Sequence, residues 1–68
     1  SRDSAILVQA IKTLGKDAID ERVLKKLSEY LPTSSWAKIV KECRYVTGWV
    51  LDVLKQAADH AAAKEGQV

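Results

Sequence analysis

The chain has no methionine, no phenylalanine, one cysteine, one histidine, one proline and three glycines in 68 residues. Several of these shortages remove a class of chemistry. Cys43 has no second cysteine with which to close an internal disulfide, and Cys43 with His60 falls short of the four Cys/His ligands of a structural zinc site. No metal and no cofactor is expected, and a lone thiol fits a reducing, cytoplasmic setting. Gly15, Gly48 and Gly66 stand too far apart to form a phosphate-cradling loop. No apolar run approaches the roughly 18 residues that span a bilayer, and Ser1-Arg2-Asp3-Ser4 does not open a signal peptide, so no membrane partner is expected. The missing methionine means that the initiator was removed or that residue 1 was cut from the interior of a longer protein; the excised segment is the expectation, with residues 1–68 a single helical domain.

Hydrophobic residues make up 47% of the chain, which excludes disorder and collagen-like structure. Nine of them are alanines, leaving 23 larger side chains to build one small core. The net charge of +2 arises from well-mixed acids and bases, too balanced to indicate a nucleic-acid ligand or a polybasic membrane anchor.

Hydrophobic spacing then predicts four helices. Ile6, Leu7, Ala10, Ile11 and Leu14 form the first stripe, with Asp3 or Ser4 as the cap and Gly15 as a left-handed stop. Asp20 caps a second helix, with Ile19 and Leu24 placed as a hydrophobic staple; Val23, Leu24, Leu27, Tyr30 and Leu31 form its apolar face, and Pro32 ends it. Thr33 is the expected cap of a third helix whose buried side is Trp36, Ile39, Val40 and Cys43. After a tight corner over residues 44–48, Thr47 is placed to cap a fourth helix bearing Trp49, Val50, Val53, Leu54, Ala57, Ala58 and Ala61, with residues 63–68 a frayed tail. The fold class is all-α: a compact small bundle of four helices with short turns.

Reactive groups are not gathered in the sequence. Cys43 lies on an apolar stripe and reads as core, His60 as a solvated helix residue, and Ser34 and Ser35 as first-turn residues without a base nearby. The chain is therefore not expected to be an enzyme. An acyl carrier is excluded because the Asp-Ser-Leu attachment site is missing. Five residues are candidates for partner binding: Trp36, Lys38, Lys41, Arg44 and Tyr45. Trp, Tyr and Arg are the usual anchors of protein interfaces, and lysines steer an approaching partner. Trp36, in the first turn of its helix, is expected at the surface, whereas Trp49 is expected to close the core beneath the corner. Lys38, Lys41 and Arg44 also make the third helix a candidate for direct DNA contact, although their spacing spreads them over a wide arc.

Three stretches carry a family resemblance: Gln9 to Asp17 with its Leu14-Gly15-Lys16-Asp17 turn, Asp20 to Leu31, and Arg44-Tyr45-Val46-Thr47-Gly48-Trp49-Val50. In these the chain resembles the C-terminal region of AbiEi-type antitoxins and transcriptional regulators of type IV toxin–antitoxin systems. It departs from them at Val46-Thr47-Gly48, where a proline would be expected in the corner. The resemblance implies a bacterial protein-interaction module that binds a nucleotidyltransferase-like toxin or a partner subunit, while an N-terminal domain outside this chain reads DNA. Two alternatives are direct DNA binding by the third helix and self-association through the stripe of the fourth.

Overall fold

The computed structural model describes residues 2–65, and among them it shows four α-helices, one 3₁₀ turn and no strand. The helices are α1 (Arg2–Leu14), α2 (Glu21–Ser28), α3 (Thr33–Glu42) and α4 (Trp49–Glu65), with the 3₁₀ turn at Lys16–Ala18. The all-α architecture expected from hydrophobic spacing is the one observed. The long α4 is its spine: α3 and α2 pack mainly against it, and α1 lies across α4 and α3.

Each boundary has a local cause. At the end of α1 the Gly15 N–H donates to the Ile11 carbonyl at 3.1 Å, and Gly15 takes φ 87°. The positive φ was expected, but ψ is 151°, an extended mirror-image region open essentially to glycine. The chain then makes the 3₁₀ turn, which sequence periodicity did not indicate. Asp20 caps α2 as anticipated: its backbone is extended and its Oδ1 accepts from the Val23 N–H at 2.9 Å. Ile19 packs against the core ahead of this cap and Leu24 is buried within the helix, the placement of a staple.

The junction between α2 and α3 differs from expectation and is informative. α2 stops at Ser28, not at Leu31, because the chain tightens into i→i−3 bonds from the Glu29 N–H to the Lys26 carbonyl and from the Tyr30 N–H to the Leu27 carbonyl. In a continued helix the Ser28 carbonyl would accept from residue 32, but Pro32 has no N–H. The Trp36 indole Nε1–H supplies the missing donor at 3.1 Å, in a buried hydrogen bond. Trp36 is consequently 0% exposed, which corrects the expectation that it lies at the surface. Pro32 itself occupies the cap position of α3, its carbonyl accepting from the Ser35 and Trp36 N–H groups. Thr33 is not the cap, because its hydroxyl donates across the bundle to the Ala61 carbonyl of α4 at 3.1 Å.

Two further caps differ from the sequence reading. Asp3 and Ser4 both lie inside α1, where buried Ser4 donates to Glu42 Oε1 at 3.4 Å. Gly48, with φ 81°, precedes α4 and its carbonyl accepts from the Asp52 N–H, so Gly48 and not Thr47 stands at that cap. α4 extends through Glu65, past the expected fraying point at residue 63, and Lys64 is tied to Glu29. Residues 66–68 of the expected tail lie outside the described residues.

The core combines Ile11, Leu24 and Leu27 with Trp36, Ile39 and Cys43 of the α3 face and Val50, Val53, Leu54, Ala57 and Ala61 of α4. The stripes of α3 and α4 thus face the core as their spacing predicts, with Val40, Trp49 and Ala58 only partly buried. The α1 stripe is not: Ile11 is buried, but Ile6, Ala10 and Leu14 are exposed. α1 turns the line Ser4, Leu7, Val8 and Ile11 toward the core, the edge that meets α3 and α4.

Replacing Trp36 by Phe leaves the Ser28 carbonyl buried and unpaired, and should cost about 1–3 kcal/mol in urea unfolding. Trp36→Ala also opens a cavity and should cost about 3–5 kcal/mol. Because a Cβ built on Gly15 meets nothing within 4 Å, Gly15→Ala tests backbone conformation alone. Its expected loss is about 1–3 kcal/mol with an unchanged circular dichroism spectrum.

Candidate interaction surface

Four of the five candidate partner-binding residues are exposed: Lys38, Lys41, Arg44 and Tyr45. The fifth, Trp36, is withdrawn into the core by its bond to Ser28 and offers a partner no surface. Positions 38 and 41, three residues apart, lie on one side of α3, and Arg44 and Tyr45 follow in the turn beyond its end. Arg44 lies beside Tyr45, and Tyr45 is 73% exposed. This aromatic and cationic patch stands at the corner where α3 gives way to α4, a place fixed by the Cys43 N–H to Ile39 carbonyl bond and the Val46 N–H to Cys43 carbonyl bond.

A second surface was not singled out from the sequence. Ile6, Leu14 and Tyr30, assigned to core stripes by spacing, are 58%, 53% and 76% exposed. They border a cleft between α1 and α2, whose floor is divided into two hollows that share Tyr30. One, of about 160 Å³, is lined by Asp3, Ile6, Leu7, Tyr30 and Leu31. The other, of about 210 Å³, is lined by Leu14, Arg22, Val23, Lys26, Leu27 and Tyr30. The signal that could have found this cleft was an excess of apolar positions on α1, whose stripe is wider than one packing edge can bury.

The remaining reactive side chains are held in structural contacts. Cys43 is a free thiol, fully buried in the core, in the place its stripe implied. His60 is half-buried, not solvated as its alanine-rich surroundings suggested: its Nε2 lies 3.2 Å from Glu21 Oε1, linking α4 to α2. No three His, Cys, Asp or Glu side chains among the described residues are gathered where they could hold a metal ion. No helix among them is long and apolar enough to cross a membrane. Trp49 is half-buried against the core and borders a broader hollow of about 360 Å³ with Lys16, Ile19 and Asp52.

One ion pair has a consequence in pH. Lys64 Nζ donates to Glu29 Oε1 at 2.6 Å, and this hydrogen bond, with the lysine's charge behind it, holds the Glu29 carboxyl below its ordinary value; Lys26 adds a smaller pull in the same direction. A folded-state value below the unfolded one means that the stabilisation is complete above the unfolded carboxyl range and disappears as pH falls through the folded value. Both groups are exposed, so the contribution to global stability is small. In an NMR titration, Lys64→Ala should raise the Glu29 pKa toward its ordinary value while leaving unfolding at neutral pH nearly unchanged. Identical Glu29 titrations in both proteins would contradict the pairing.

Compared with family models, curated proteins and solved structures, the chain matches none.

Proposed function

We propose that the chain is a protein-interaction module that acts by binding and covering a partner, without covalent chemistry. The observation that carries this reading is Tyr45, a large aromatic held 73% exposed at the α3–α4 corner with Arg44 exposed beside it. Aromatic and guanidinium groups are the side chains that most often anchor protein interfaces when a partner desolvates them. Lys38 and Lys41, on the same side of α3, favour an acidic partner surface and speed its encounter. The resemblance to AbiEi-type antitoxins supplies the setting: a nucleotidyltransferase-like toxin or a regulator subunit in a bacterial cytoplasm, where the buried Cys43 thiol stays reduced. In that setting DNA is read by a separate N-terminal domain, and this module holds the protein partner.

The test is a calorimetric titration against the product of the gene adjacent to the full-length coding region. Arg44→Ala combined with Tyr45→Ala should weaken binding by about 30-fold or more, equivalent to roughly 2 kcal/mol, with the unfolding midpoint unchanged. Unchanged affinity would remove the corner from the interface. Retardation of a short DNA duplex that fades steeply with salt and depends on Lys38 and Lys41 would favour nucleic-acid binding instead.

A further inference from the structure

The excess positive charge of the chain is concentrated in one stretch. Of the eleven Lys/Arg and nine Asp/Glu residues, eight of each lie outside residues 30–51 and cancel. Within that stretch Lys38, Lys41 and Arg44 stand against a single acid, Glu42, so the net charge of +2 arises on α3 and the turn after it. The fold sharpens this imbalance at the surface. Lys38, Lys41 and Arg44 are exposed, whereas Glu42 is half-buried and accepts a hydrogen bond from the Ser4 hydroxyl of α1 at 3.4 Å.

The neighbouring acids act unequally on the three cations. Asp3 lines a small hollow of about 120 Å³ with Ser35, Lys38 and Glu42, so Lys38 has two carboxylates close by. Asp52, in the first turn of α4, lines the separate hollow beside Gly48 and Trp49. The ion pairs between described side chains, His60 with Glu21 and Lys64 with Glu29, leave Lys41 and Arg44 without a carboxylate partner among the described residues. Lys41 and Arg44 are therefore the open charges, and exposed Tyr45 follows Arg44 directly.

Their number selects the occupant. Duplex DNA carries one negative charge about every 1.7 Å of its axis, and proteins bind it by neutralising many phosphates together. Two open cations are few for that, and Asp3 and Glu42 near Lys38, with Asp52 beyond the corner, oppose a phosphate backbone that continues in either direction. A pair of carboxylates matches the patch better. The Arg44 guanidinium can hold one carboxylate through two parallel N–H donors, and Lys41 supplies a point charge for another. The Tyr45 ring offers an apolar face to a large side chain carried between or beside them.

We propose that the partner element bound at the α3–α4 corner is an acidic protein segment, with Asp/Glu carboxylates on Arg44 and Lys41 and a large apolar side chain against Tyr45. This rests on the corner being the binding surface and adds the chemistry that it accepts. Lys38, already offset by Asp3 and Glu42, contributes attraction at a distance and no direct pair.

An NMR titration of the isotope-labelled chain tests it, with a Glu-rich synthetic peptide of about 12 residues carrying one central Phe as the probe. Amide shifts should be confined to residues 38–48, with a Kd of about 1 mM or below at low salt. The same peptide with Gln for every Glu should bind at least about fivefold more weakly. Lys41→Gln with Arg44→Gln should weaken the Glu peptide by about tenfold without moving the unfolding midpoint, whereas Lys25→Gln with Lys26→Gln, which removes equal charge from α2, should leave it unchanged. Equal binding of the two peptides, shifts spread over the cations of α2, or no shift at the corner would overturn the proposal. So would a single-stranded oligonucleotide of similar length that binds the corner more tightly than the Glu peptide, since the acceptor would then be phosphate. Against the product of the adjacent gene, affinity that depends on Tyr45 but ignores Lys41→Gln and salt would overturn the acidic segment and leave the corner in place. Affinity for that product indifferent to Arg44→Ala with Tyr45→Ala would instead remove the corner from that complex, while the peptide selectivity would still support the acidic preference of the patch.

Discussion

The structure depends on a donor that is missing and a side chain that replaces it. Pro32 cannot donate to the Ser28 carbonyl, and an unpaired carbonyl in the interior costs more than most single contacts return. Trp36 meets that need from the next helix, and in doing so fills the centre of the bundle with the largest fully buried side chain among the described residues. Because α2 and α3 each pack mainly on α4, this bond joins the end of one directly to the beginning of the other. It also separates what is structural from what is available. With Trp36 buried, the large side chains left for recognition are Tyr45 at one corner and the Ile6, Leu14 and Tyr30 group along another face.

Much of this was legible in the residues. Regular spacing located the buried faces of α3 and α4, since each has enough large side chains to fill one contact edge and few left over. Asp20 and Gly15 were legible because their roles are local: a carboxylate reaching an N–H three residues ahead, and a backbone angle that glycine tolerates. The errors fall where a residue satisfies a distant partner. Thr33 and Ser4 have the right chemistry for caps, but their hydroxyls are taken by Ala61 and Glu42, 28 and 38 positions away. Trp36 lies on the apolar stripe by its spacing but stands in a first turn, where exposure is usual, and the orphaned carbonyl of Ser28 decides for burial. Periodicity marks α1 as amphipathic without saying which edge of its wide stripe meets the bundle, so the exposed cleft was invisible.

The two surfaces differ in physical character, and the difference bears on function. The α3–α4 corner combines a projecting aromatic with a cationic neighbourhood, suited to a partner of opposite charge. The α1–α2 cleft is concave and hydrocarbon-lined. The first is built on α3 and the turn after it, the second on α1 and on α2 with the turn after it. The nucleophilic and titratable candidates Cys43 and His60 are engaged in the core and in a helix-to-helix contact.

The indole N–H of Trp36 gives the most direct test of the bond on which the bundle rests. Its hydrogen exchange, followed by NMR beside that of half-buried Trp49, should proceed only through global unfolding and be slower by orders of magnitude. Exchange of Trp36 as fast as that of Trp49, while the core amides of α3 and α4 remain protected, would show that the Ser28 carbonyl is not held as described.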